Sequence, residues 1–126
     1  MTRFVMGASA LVLGALGLAA TFLPQEIARY LGASAAVAWP LVIQVVGALY
    51  FAFAMQNWMA KDSLLGGIYN RPIATGNLVH FTVGALALVK GALANPADTA
   101  ILSFTAVYAL FAIAFAKIFF TSPVKP

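Results

Sequence analysis

The stretch "GNLVHFTVG" (76–84) contains His80, the only histidine of the chain. An imidazole can donate a hydrogen bond, accept one, or change charge near neutral pH, so His80 has the widest chemical range of any side chain present. Several groups that hydrogen-bond without ionising near pH 7 could share a site with it: Asn77 three positions earlier, Asn57, Tyr50 and Tyr108. Lys61 and Arg71 flank the polar turn between two apolar runs, in "QNWMAKDSLLGGIYNR" (56–71). Such a set suits recognition, in which a polar head group meets a few hydrogen bonds and two cations. It does not suit group transfer. One His, no Cys and three acids supply no nucleophile, base and orienting group together, so no catalytic residue is assigned. Zinc-type sites lack their ligands for the same reason, and no metal-ligating residue is assigned. The Gly66–Gly67 pair is not followed by Lys and Ser or Thr, as a phosphate loop requires, and reads as a turn.

For these side chains to meet, helices must carry them. Tyr50, Phe53, Asn57 and Lys61 recur at helical spacing on one face, and Ile73, Asn77, His80 and Gly84 recur on another. At 1.5 Å per residue, His80 lies roughly 12 Å inside its apolar run. Tyr50 and Tyr108 fall near the midplane, a few Å further in. If the faces oppose, a polar ladder rises from Lys61, Asp62 and Arg71 through the amides to His80 and the tyrosines. The expected site is a pocket lined by Tyr50, Asn57, Asn77, His80 and Tyr108, with Arg71 and Lys61 at its mouth.

Composition decides what surrounds those helices. Of 126 residues, 63% are hydrophobic and only 8% charged, against about 25% charged in an ordinary soluble domain. A soluble fold of this length leaves too much surface exposed to hide so much apolar area. The solvent is therefore expected to be lipid. Four runs approach the ~20 residues that a bilayer core requires, at about 4–23, 39–60, 72–93 and 99–120. Pro24 stops the first, while Pro40 and Pro72 open the second and third, where a missing N–H costs nothing. "NPAD" (95–98) turns the chain into the fourth. The first run is longer than a signal-peptide core and reads as a retained span. The expected fold is all-α: one domain over 1–126, an integral membrane, up-down antiparallel four-helix bundle with a short interfacial segment, "QEIARYLG" (25–32), after the first helix.

Charge sets the orientation. With the N-terminus inside, Arg3, Lys61, Arg71, Lys117 and Lys125 lie on the cytoplasmic side, and Arg29 and Lys90 outside. Both termini and the 56–72 turn are expected to be cytoplasmic, in a bacterial inner membrane. Trp39 and Tyr30 mark the outer boundary, Trp58 and Tyr69 the inner one. The net charge of +4 comes from singly scattered cations, a pattern of membrane flanks rather than of a nucleic-acid surface.

Small residues are expected to form the helix contacts. Gly7, Ala10, Gly14 and Gly17 line one stripe, which serves either an internal contact or a homo-oligomer seam, and Gly76, Gly84, Ala87 and Gly91 line another. Phe104, Tyr108, Phe111, Phe115 and Phe119 form an aromatic ridge that fills core or faces lipid. Gln44 reads as a single interhelical bond. For His80 two roles stand side by side. One is a hydrogen-bonded clasp; the other is a functional site, the default for an ionisable group inside a span. Gly76 and Gly84, four residues either side of His80, clear space for a flat tetrapyrrole ligated by the imidazole, or for a close neighbouring helix.

Three stretches carry a family resemblance: "GLAATFLPQEIARYLG" closing the first span, "VVGALYFAFAMQNWMAK" in the second, and "NRPIATGNLVHFTVGALALVK" opening the third. They resemble the DoxX-like group of small bacterial membrane proteins. The resemblance implies a four-helix inner-membrane bundle; members are linked to quinone-coupled oxidoreductases and to assembly partners. No redox motif is present, so no catalytic role carries over. The expected function is non-enzymatic: binding an apolar small molecule, lipid or quinone-like, or a partner membrane protein. The alternatives are a redox or pigment subunit with His80 as tetrapyrrole ligand, and a small carrier or channel protomer.

Overall fold

The computed structural model describes residues 1–33 and 38–125. Among the described residues five helices follow one another: α1 (Thr2–Phe22), α2 (Pro24–Tyr30), α3 (Ala38–Ala60), α4 (Arg71–Ala94) and α5 (Thr99–Phe120). Among the described residues there is no strand, only an isolated bridge between Gly66 and Tyr69. α1, α3, α4 and α5 are each long and apolar enough to cross a membrane. Their bounds fall within two residues of the four apolar runs.

The chain divides into two compact units, Met6–Lys61 and a second made of Met1–Val5 with Asp62–Pro126. In the first unit α1 and α3 run antiparallel, since low-numbered α1 residues meet high-numbered α3 residues. Gly14 lies against Ala54, and Gly17 against the backbone of Gly47 and Phe51. The crossing is tight at Gly17. A Cβ there would fall 2.8 Å from the Phe51 nitrogen and 2.9 Å from the Gly47 oxygen, and backbone cannot step aside. Gly47 mirrors it, with a Cβ position 2.9 Å from that of Ala20 and 3.0 Å from the Gly17 oxygen. The glycine stripe of α1 is thus an internal contact at Gly14 and Gly17, while a Cβ at Gly7 would meet nothing within 4 Å. Gln44 on α3 donates to the Thr21 carbonyl at 3.4 Å, the single interhelical bond expected of it.

The segment after α1 is helical. Leu23 breaks the path at φ −123°, ψ 42°, as a residue before proline tends to do, and Pro24 opens α2. Glu26 in its first turn and Arg29 in its last both complement the helix dipole. Gly32, at φ +69°, closes it: its N–H bonds the Arg29 carbonyl at 3.0 Å and the Ala33 N–H bonds the Ala28 carbonyl at 2.9 Å, the paired bonds of a Schellman end.

In the second unit α4 and α5 form an antiparallel hairpin. Arg71 meets Phe119, Phe81 meets Phe115 and Phe111, and Gly91 meets Ile101. The "NPAD" turn joins them, and the Asp98 carboxylate caps α5 by accepting from the N–H groups of Ala100 and Ile101 at 3.0 and 3.2 Å. At the other end the Gly66–Gly67 pair makes the expected turn and does more. The Gly67 N–H donates at 3.2 Å to the Phe119 carbonyl, one of the orphan acceptors of the last turn of α5. Gly66 (φ +112°) presses against the carbonyls of Ile118 and Thr121, where no Cβ would fit. The polar turn is therefore partly the C-terminal cap of α5.

Candidate functional site

The hairpin of α4 and α5 is built around Phe81, which is fully buried. Its ring stacks on Phe115 at 5.4 Å between centroids and 7° between planes, and also meets Phe111 at 4.9 Å and Tyr108 at 5.2 Å. Pairs of this kind contribute about 0.5–1.5 kcal/mol each beyond area burial. The aromatic ridge of α5 is thus core at Tyr108 and Phe115, both buried, while Phe104 lies exposed.

Next to Phe81 in sequence, His80 faces the same partner helix from one side of this aromatic cluster. Its Nε2 stands 3.2 Å from the Tyr108 hydroxyl, in hydrogen-bond contact, with ring centroids 5.5 Å apart. His80 is half-buried, Tyr108 buried. The contact depends on Gly84, one turn along α4. A Cβ on Gly84 would lie 2.5 Å from Cε1 and 2.7 Å from Cδ1 of Tyr108, so the phenol ring occupies the volume that any side chain there would claim. Within this hairpin the clearance beside His80 at Gly84 is filled by an aromatic ring of the partner helix. The pair joins the one side chain able to change charge near neutral pH to a hydroxyl that can donate or accept.

The other expected site residues fall as follows. Asn77, fully buried on α4, donates to the Ile73 carbonyl of its own helix at 3.0 Å. Arg71 begins α4, and its guanidinium carbon lies 5.4 Å from the centre of the Phe119 ring, within cation–π range. Tyr50, Asn57 and Lys61 belong to the α1–α3 unit. Tyr50 is half-buried on α3. Asn57, fully buried, donates to the Ser9 hydroxyl of α1 at 3.0 Å, and that hydroxyl donates to the Met6 carbonyl at 2.9 Å. Lys61 reaches the Trp58 carbonyl at 3.4 Å and lies 4.2 Å from the centre of the Trp58 ring. Asp62 forms an ion pair with Arg3 at 2.9 Å. His80 and Tyr108 are thus in direct contact, with Asn77 and Arg71 further toward the start of α4.

Sequence reasoning passed over Ser9 and Phe81. Ser9 falls three residues from Met6 on α1, where a hydroxyl satisfies itself on its own helix and so gives no sign of a second partner. Phe81 had a readable signal: it is a large ring beside the lone histidine, on a helix that must pack somewhere. No family model, curated protein or solved structure matches the chain.

Proposed function

We propose that this is a multi-pass protein of the bacterial inner membrane, a DoxX-like up-down bundle of α1, α3, α4 and α5 with both termini cytoplasmic. In this reading it binds, without catalysing a reaction, an apolar molecule with a polar head, lipid or quinone-like, or a partner membrane protein presenting such a group. One observation carries the reading: a half-buried imidazole stands within a long apolar helix, held at 3.2 Å by a buried phenol. An ionisable group at such a position is costly and is a site by default. Asn77 and Arg71 extend the polar track toward the start of α4, with Arg71 suited to a phosphate or other anionic head.

The test is chemical. Wild-type protein and His80→Ala are purified in parallel, and their organic extracts are quantified by mass spectrometry. The expected result is one apolar species retained by the wild type and reduced several-fold in the variant. Equal content in both removes the site. A visible spectrum of the same wild-type sample addresses the tetrapyrrole alternative, which requires an absorption band that His80→Ala abolishes.

A further inference from the structure

The turn end of the α4–α5 hairpin gathers positive charge and leaves part of it unneutralised. In the unit made of Met1–Val5 and Asp62–Pro126 the acidic side chains are Asp62 and Asp98. Both are committed: Asp62 pairs with Arg3 at 2.9 Å, and Asp98 caps α5 at the opposite end of the hairpin. Among the described residues no acid reaches Arg71, exposed at the first position of α4, or Lys117, exposed in the last turn of α5. Arg71 differs from Lys117 in being held. Its guanidinium carbon stands 5.4 Å from the centre of the Phe119 ring. A guanidinium resting on a ring face keeps N–H donors for a second partner. The turn that delivers Arg71 is braced at three points. Gly66 and Tyr69 exchange backbone bonds at 3.1 and 3.0 Å, Asn70 donates to the Leu64 carbonyl at 2.8 Å, and the Gly67 N–H bonds the Phe119 carbonyl at 3.2 Å. Phe119 thus supplies both the ring under Arg71 and the carbonyl that anchors the turn before it.

We infer that Arg71, seated on Phe119, anchors the phosphate of an anionic phospholipid. Two observations choose that occupant over a soluble anion or an acidic peptide. Arg71 opens a helix long and apolar enough to cross a bilayer, so it stands where apolar chain gives way to polar turn, at head-group level. Beside the seat, the Phe120 ring meets that of Phe119 at 5.0 Å and is 79% exposed, an apolar surface for the chains that accompany a lipid phosphate. The guanidinium fork matches two phosphate oxygens at once, whereas a lysine ammonium supplies a point charge. His80 lies about 13 Å further along α4 at 1.5 Å per residue. A head group on Arg71 therefore leaves the imidazole at acyl-chain depth, and the seat does not need it. The inference rests on the proposed bilayer setting and names the anionic head that Arg71 takes there.

The experiment is native mass spectrometry of the whole chain, delipidated in detergent and titrated with phosphatidylglycerol or with phosphatidylcholine of the same acyl chains. The first phosphatidylglycerol should bind about fivefold more tightly than phosphatidylcholine, the worth of one cation at an anionic surface. Arg71→Gln should erase that preference, and Phe119→Leu, which removes the ring face but stays apolar, should weaken it. Lys117→Gln removes the same charge without touching the seat and should leave most of the preference. Equal losses in Arg71→Gln and Lys117→Gln overturn the inference, because diffuse charge then suffices. If Phe119→Leu does not fold, Arg71→Lys decides: it keeps the charge and loses the fork, and a full preference in it overturns the seat. Glycerol phosphate carries the head without chains, and its displacing the lipid at equal concentration overturns a lipid occupant. His80→Ala separates this seat from the proposed site. It should lose the apolar species and keep the phosphatidylglycerol preference; a preference lost with His80 overturns the separate seat. Equal binding of the two lipids overturns the inference alone, whereas binding of neither overturns it together with the membrane reading.

Discussion

The two helix pairs bring their helices together by opposite means. α1 and α3 meet backbone to backbone at Gly17 and Gly47, with only small side chains between them. α4 and α5 meet through large rings, with Phe81 set among Tyr108, Phe111 and Phe115. In the proposed bilayer there is little hydrophobic force between helices, and close packing must supply the association. Glycine achieves it by letting backbones approach; aromatic rings achieve it by packing on one another. The difference extends to the polar groups. The glycine crossing contains an Asn57–Ser9 bond between neutral groups that cannot change charge near neutral pH. The aromatic hairpin contains a ring that can, His80, in contact with Tyr108.

That contrast can be broken at each contact in turn. The largest expected effect is at Phe81. Truncation to Ala removes four ring contacts, with His80, Tyr108, Phe111 and Phe115, and leaves a cavity, for which about 3 kcal/mol is expected, the low end for aromatic truncations if the hairpin lies in the proposed bilayer. Unfolding by denaturing detergent would measure it, and a loss below about 1 kcal/mol would show that the rings are not the hairpin's support. Next comes Gly17→Val, whose added atoms meet immovable backbone; about 2 kcal/mol is expected from overpacking. Gly14→Ala sharpens that result, because its Cβ would meet the Ala54 Cβ at an ordinary 3.6 Å and should be nearly neutral. Comparable losses at both glycines would remove the claim that the crossing is localised at Gly17. The smallest effect is at Arg3, whose ion pair with Asp62 is 75% and 58% exposed at its two side chains. Arg3→Gln should change stability by a few tenths of a kcal/mol, and the change should vanish in high salt.

Much of this was readable from sequence because its causes are local. The helix ends follow from prolines and run length: α5 matches the expected 99–120, α3 differs by one residue at its start, and α4 by one residue at each end. Depth counting along the two runs set His80 and Tyr108 within a few Å of the same level, and they lie in contact. What sequence did not give was the matching of one helix to another. Asn57 was expected on the polar face of its helix, and its bond to Ser9 depends on where α1 crosses α3. The Gly66–Gly67 pair announced a turn, but its bond to the Phe119 carbonyl joins residues far apart in the chain. Clearance at Gly84 was legible, yet its occupant, the Tyr108 ring, was not, because a glycine records the need for space and not what fills it. Helix periodicity fixes faces; it is silent about partners.

The central proposal is that four helices cross a bilayer with the 56–72 turn inside the cell, and the chain's lack of cysteine makes that directly measurable. Single cysteines at Ile68, Ser122 and Ala97 would each be the only thiol, to be labelled in intact cells by a maleimide that cannot cross the inner membrane. Ala97→Cys is predicted to label at once, and Ile68→Cys and Ser122→Cys only after the membrane is permeabilised. Labelling of Ile68→Cys or Ser122→Cys in intact cells, or equal labelling at all three positions, would contradict the account.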